Sequence, residues 1–163
     1  MSYNIPMSQF FAQNGEIILR LVVATGLGLL VGAERLFVKE AAGMKTHALV
    51  SMGAAVFTIV SELMVQKYAS LPGLNPTIIP STIVVGIGFL GAGSIILQGS
   101  RLVGVTTAGG LWVMAGIGMA AGAGFLSLAA IATVLMLLVL LFVNLLEKPI
   151  RKISNGIGEQ PKV

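Results

Sequence analysis

The sequence predicts an all-α integral membrane protein of five transmembrane helices, and three observations carry that reading. The mean hydropathy is +0.97. Only 10% of the residues are charged, against roughly 25% in a soluble domain. Within 163 residues, five apolar runs are separated by basic or helix-breaking connections, which leaves no room for a separate soluble domain. The absence of cysteine excludes disulfides and thiolate metal sites. The net charge of +4 is not a nucleic-acid signal, because the basic residues sit between apolar runs, where they report topology.

The spans follow in order within one transmembrane domain, residues 1–150. Met1 to Gln13 has neither a basic n-region nor a small-residue cleavage site, so the first apolar run is read as a retained span. Span one is Ile17–Ala33, short and carrying Arg20. Span two is Thr46–Val65, and span three is Ile78–Leu97. Between them Pro72, Gly73, Asn75, Pro76 and Pro80 favour turns, and Pro80 fits the first turn of span three without losing a backbone bond. Tyr68 suits a membrane interface. Span four is Val103–Ala121 and span five is Phe125–Leu146. Only Gly122-Ala123-Gly124 parts these two, enough for a tight helical hairpin. One long bent segment, giving four spans, is the alternative. Residues 151–163 form a short basic tail expected to fray.

Charge fixes the expected orientation. Arg35, Lys39 and Lys45 lie between spans one and two, and Arg101 lies between spans three and four. Lys148, Arg151, Lys152 and Lys162 follow span five. The other side offers Lys67 and, near the membrane edge, Arg20. Positive charge marks the cytoplasm, so the N-terminus is expected outside and the C-terminus inside, which requires an odd number of spans.

Glycine is the expected packing residue. Gly28 and Gly32, and again Gly118 and Gly122, form G-x-x-x-G pairs on single helix faces. Gly86, Gly88, Gly91 and Gly93 crowd span three. That string contains G-x-G-x-x-G, but no βαβ unit brackets it and no acidic residue follows about 20 positions on, so it is not read as a nucleotide loop. Its glycines either let helices approach closely in lipid or let span three bend around a polar route.

The polar residues group by depth. Glu34, Arg35, Lys45 and Thr46 bracket the first connection. They are either a solvated topology anchor or a cytoplasmic surface for a partner or anion. Arg20 and Glu62 fall at similar depth on antiparallel neighbours, which predicts an intramembrane ion pair; the alternative is separate snorkelling. Thr106 and Thr107 can bond their own helix or cross to another. Trp112 lies deep enough to face the bundle. His47, the only histidine, is a weak metal candidate. There is no aspartate, the six glutamates are scattered, and no nucleophile–base pattern is present. No catalytic residue, metal ligand or cofactor is assigned, and an enzyme is not expected.

Five stretches taken in order resemble the membrane domain of the MgtC/SapB family. They are Leu30–Arg35, Ala42–Val50, Gly53–Phe57, Gly86–Gly93 and Gly104–Ala108 with Trp112, and their spacing fits from Ile17 to Gly124. The resemblance implies a multi-pass bacterial inner (plasma) membrane protein. It further implies a link to magnesium limitation and, in pathogens, to survival inside host cells. Well-known members act on other membrane proteins, including the ATP synthase, more than as magnesium transporters. They carry a soluble C-terminal domain, whereas this chain stops soon after span five, which implies a divergent member. Ile78 and Val103 stand where the family often has arginine, with Arg101 a stand-in for the second, and Thr82 stands at the usual glutamine.

The expected function is therefore regulatory: binding or modulating other membrane proteins in ion homeostasis. The working surface is placed at Glu34, Arg35, Lys45, Thr46 and Arg101. Partners are the bilayer, other membrane proteins and further copies of the chain. The rival expectation is a transporter or channel, with a route past span three lined by Ser94, Thr106 and Thr107. Against it stands the scarcity of intramembrane carboxylates for a divalent cation.

Overall fold

The computed structural model describes residues 7–69, 75 and 77–157, with side chains at 11, 14–69, 75 and 77–146. The described residues form five helices and one hairpin. These are α1 (Met7–Phe37), α2 (Met44–Lys67), α3 (Ile78–Gly93), β1 (Ile96–Gln98), β2 (Arg101–Val103), α4 (Val105–Gly122) and α5 (Leu126–Ile157). The fold is all-α with a membrane character. Four helices are long and apolar enough to cross a membrane, and α3 is a shorter apolar helix.

The differences from the expected spans have physical causes. α1 extends beyond Ile17–Ala33 at both ends, and α5 runs past Leu146 to Ile157, so residues 151–157 are helical rather than frayed. Span three is cut short. The helix stops at Gly93, where Ser94 and Ile95 turn back onto the carbonyls of Gly91 and Ala92. Ile96–Gln98 then pairs antiparallel with Arg101–Val103 across Gly99-Ser100. A two-residue Gly-Ser turn between β-branched and leucine residues is a hairpin signal. Gly99 supplies its positive φ of 61°. Pro72, Gly73 and Pro76, and the side chains of Lys148, Arg151, Lys152 and Lys162, lie outside the described residues.

Two helix ends share one capping device. Lys39 N–H bonds Leu36 O at 3.1 Å and Glu40 N–H bonds Arg35 O at 3.0 Å. This pair of bonds closes α1 with Lys39 in the left-handed region at φ 61°, a non-glycine residue where glycine is usual. The same pattern closes α4, from Gly124 to Ala121 and from Phe125 to Ala120. Here Gly124 supplies a φ of 82° at no steric cost. Gly122-Ala123-Gly124 is thus a tight turn between two helices, and the single bent segment is excluded.

α4 is the hub, touching each of the other four helices. Its Met114, Ile117 and Ala121 join Ala24, Val31, Ala55, Ala129 and Met136 in the main core. A second, smaller cluster joins Ala42, Ala54, Ile87, Leu111 and Ala115. α3 is peripheral and buries only Ile87 and Gly91.

The glycines divide into two groups. A Cβ on Gly28 would fall 2.6 Å from Ala48 Cα, and one on Gly32 2.4 Å from Met44 Cα. On α4, a Cβ on Gly118 would fall 2.1 Å from Ser51 O, and one on Gly122 2.6 Å from Ala55 O. These four face backbone. In α3, Gly91 has ordinary contact with Ala108 at 3.5 Å, and Gly86, Gly88 and Gly93 have nothing within 4 Å. The α3 string was read as either close packing or a bend around a polar route. Of the four, only Gly91 is buried, facing Ala108 of α4.

Candidate functional site

The contacts set the helices in register. α1 runs antiparallel to α2, so the C-terminal end of α1 meets the N-terminal end of α2. The starts of α2 and α4 and the end of α3 surround one cleft of about 450 Å³, lined partly by Ala42, Thr46, Gly93, Ser94 and Thr107. Lys39, Lys45 and Arg101 therefore share one end of the bundle with Glu34 and Arg35.

At that end lies a buried polar cluster. Glu34 is 8% exposed and Arg35 is 2% exposed. Adjacent residues on a helix do not face each other, yet the Arg35 guanidinium folds back. Its Nε donates to Glu34 Oε2 at 2.5 Å and its Nη2 to Glu34 Oε1 at 2.8 Å. The fork-on-fork geometry is the strong form of this pair. Asn144 of α5 donates its Nδ2 to the same Oε1 at 3.2 Å. The charges neutralise each other, which is the condition for burying them at membrane depth. Glu34 and Arg35 are thus buried and paired, which corrects the reading of a solvated anchor.

His47 is fully buried beside them. Its Nδ1 lies 3.0 Å from Gly43 O. A carbonyl only accepts, so in the neutral ring Nδ1 carries the hydrogen and Nε2 is left as an acceptor. Among the described residues Nε2 has no partner, and neither does the hydroxyl of Ser51 one turn further along α2. Nearby, Thr107 Oγ1 donates to Glu40 Oε2 at 3.0 Å. The left-handed cap at Lys39 is what swings Glu40 toward the start of α4.

The other expected residues are placed as follows. Lys45, Thr46, Arg101 and Thr106 are exposed, and Thr107 is buried. Trp112 is 54% exposed and faces outward, correcting the bundle-facing expectation. It projects beside a cleft of about 310 Å³ between α3, α4 and α5. At the opposite end of the bundle, Arg20 Nη1 donates to Glu62 Oε2 at 2.6 Å and to Gly122 O at 3.0 Å, and Nη2 bonds Glu16. One guanidinium thus ties α1 to α2 and to the end of α4. Exchanging the charges tests this tie. We expect Glu62→Gln to cost under about 1 kcal/mol, because Glu62 is partly exposed and Arg20 keeps two other acceptors. Arg20→Glu with Glu62→Arg should recover stability that Glu62→Arg alone loses in a detergent-unfolding titration. A double variant no better than the single would sink the pairing.

A third cleft, of about 470 Å³, separates α2 from α3. Its walls include Leu49, Gly53, Phe57, Ile83, Gly86 and Leu90, and it is almost wholly apolar. Together the clefts flank α3 on both sides. Sequence reasoning passed over Glu40 and Asn144. The signal for Asn144 was one amide alone in the apolar run of α5, and intramembrane polar residues of that kind face a bundle.

Comparison with known proteins follows the same outline. The profile of the MgtC family matches residues 21–149. A protein of Escherichia coli (strain K12) named "Putative magnesium transporter YhiD" is 42% identical over 127 residues, covering 77% of this chain and 59% of that protein. Protein MgtC of Brucella abortus (strain 2308) is 42% identical over 124 residues, 76% of this chain and 48% of its own length. Protein MgtC of Salmonella typhimurium (strain 14028s) is 44% identical over 120 residues, 74% and 49% respectively. The chain therefore spans between 48% and 59% of the length of these curated relatives. No solved structure matches it.

Proposed function

The chain belongs to the MgtC family of membrane proteins, and from that premise we propose that it modulates other membrane proteins in magnesium or related ion homeostasis. The observation that carries this reading is the apolar cleft of about 470 Å³ lined by α2 and α3. In lipid, helices associate by close packing rather than by burial of apolar area, and small residues allow it. Gly53 and Gly86 line the cleft, and a Cβ added at either would meet no atom of another element within 4 Å. A helix of another membrane protein, or of a second copy, fits that opening. The close approaches at Gly28, Gly32, Gly118 and Gly122 hold the remaining helices together around it. The bacterial relatives favour placement in the inner membrane, and the gathering of Lys39, Lys45 and Arg101 at one end favours that end as cytoplasmic, with the N-terminus outside. Lys45, Thr46 and Arg101 are then the cytoplasmic contact residues. The reading needs no catalytic step.

A second reading, magnesium transport, has one structural observation in its favour. His47, Ser51, Thr58 and Ser61 of α2 are all buried, at spacings that place them along one side of the helix. Buried polar positions at membrane depth mark ion pathways in many transporters.

A photoreactive residue at Gly86 or Leu90 separates the two. In native membranes it should crosslink to a distinct membrane protein or to another copy, and vesicles reconstituted with the purified protein should show no saturable magnesium flux. Flux that is lost on bulky replacement of Ser51, with only lipid crosslinked, would replace the first reading by the second.

A further inference from the structure

The β1–β2 hairpin is unlike the rest of the fold. Its register pairs Ile96 with Val103, Leu97 with Leu102 and Gln98 with Arg101. The apolar members are all exposed: Ile96 51%, Leu97 69%, Leu102 67% and Val103 43%. In an antiparallel pair, hydrogen-bonded and non-hydrogen-bonded positions alternate. The pair next to the two-residue turn is bonded, so Leu97 and Leu102 turn their backbone N–H and C=O groups outward along both edges. An isolated two-stranded hairpin is marginal in water, and this one shows leucine to its surroundings.

Two environments conflict with that geometry. In the hydrocarbon core, open strand edges exposed to lipid do not occur, because each unpaired backbone group costs several kcal/mol. In bulk water, four large apolar side chains would lie bare. The headgroup region satisfies both demands, with water for the edges and acyl chains for the side chains. Length points to the same place. The 16 residues of α3 rise about 24 Å, short of the roughly 30 Å hydrocarbon thickness. The three residues of β1 add at most about 10 Å. Helix and strand together thus reach about the hydrocarbon thickness, which puts the Gly99-Ser100 tip of the hairpin at the boundary. A Cβ on Gly104 would lie 2.0 Å from Ser94 O, so the base of the hairpin is pressed against the end of α3.

Charge identifies the occupant. Arg101 sits at the hairpin tip opposite Gln98, and Lys39 and Lys45 lie at the same end of the bundle, with Glu40 turned inward onto Thr107. At the end of α1, Phe37 is 88% exposed. Exposed apolar side chains among basic ones fit a leaflet of anionic phospholipid. We infer that the β1–β2 hairpin is an interfacial anchor that binds anionic phospholipid, seating Leu97 and Leu102 at the acyl–headgroup boundary and Arg101 on lipid phosphate. It fixes the depth of α3, the shortest helix of the bundle. The inference does not depend on which side of the membrane this end faces.

The test uses the full chain carrying Trp112→Phe, so that one introduced tryptophan reports alone. Leu102→Trp and, separately, Leu97→Trp are placed in nanodiscs of phosphatidylcholine with or without phosphatidylglycerol. We expect blue-shifted emission, quenched more by lipids labelled near the headgroup than near the chain end. We also expect a preference for phosphatidylglycerol that Arg101→Gln reduces about fivefold. Emission typical of water and unquenched by either label would overturn the inference, as would quenching by the deep label alone. A disulfide between copies through Leu102→Cys, in place of lipid quenching, would assign the surface to a second protomer instead. Because Leu97 and Leu102 are both exposed, the two variants should fold, and each checks the other.

Discussion

Gly118→Ala is expected to cost about 3 kcal/mol, the upper part of the usual range for overpacking. The added carbon would lie 2.1 Å from Ser51 O and 2.8 Å from Ser51 Cα, both backbone atoms of α2. Neither can rotate away as a side-chain tip can. α4 must back off from α2, and Met114, Ala121 and Ala55 lose contact together. Gly116 supplies the control. A Cβ there meets nothing within 4 Å, so Gly116→Ala should be neutral or gain the 0.5–1 kcal/mol by which alanine is the better helix former. Unfolding of both variants by a denaturing detergent, followed by helical circular dichroism, makes the comparison. Equal midpoints would mean that α2 and α4 do not approach as closely as the geometry gives.

This contrast also marks how far the chain was legible as sequence. Gly28, Gly32, Gly118 and Gly122 were readable because spacing of four places two residues on one helix face, whatever lies opposite. Of the α3 glycines only Gly91 meets a neighbour, Ala108, and composition cannot say which glycine of a string faces another helix. The hairpin was present as Gln98-Gly99-Ser100-Arg101 between β-branched and leucine residues. A hydropathy window averages such a turn into the run around it, so span three was drawn to Leu97. The Arg20–Glu62 contact was legible because depth along two antiparallel helices follows from counting outward from their connection. The burial of Glu34 and Arg35 was not. Charges at a helix end read as solvated until it is known that α5 returns to the same place and brings Asn144.

That burial sets the second large effect. Glu34→Ala is expected to destabilise the protein by about 3–5 kcal/mol, because Arg35, 2% exposed, is left as a buried charge without its carboxylate. Asn144 loses its acceptor in the same step. Arg35→Leu should be comparably severe, stranding Glu34 in turn. The double variant Glu34→Leu with Arg35→Leu removes both charges, and replacing a buried pair by apolar residues is often neutral or stabilising. It should therefore be more stable than either single variant. A double-mutant cycle in detergent unfolding then gives a large coupling energy between adjacent residues whose positions on a helix would ordinarily keep them apart. Simple additivity would mean that the pair is open to water. A large coupling energy would mean that the two charges are tolerated in the interior of this end only as a mutually neutralising pair, on which α5 rests through Asn144. Substitution at the exposed Lys45 and Arg101 then tests the proposed partner contact without unfolding the pair beneath them.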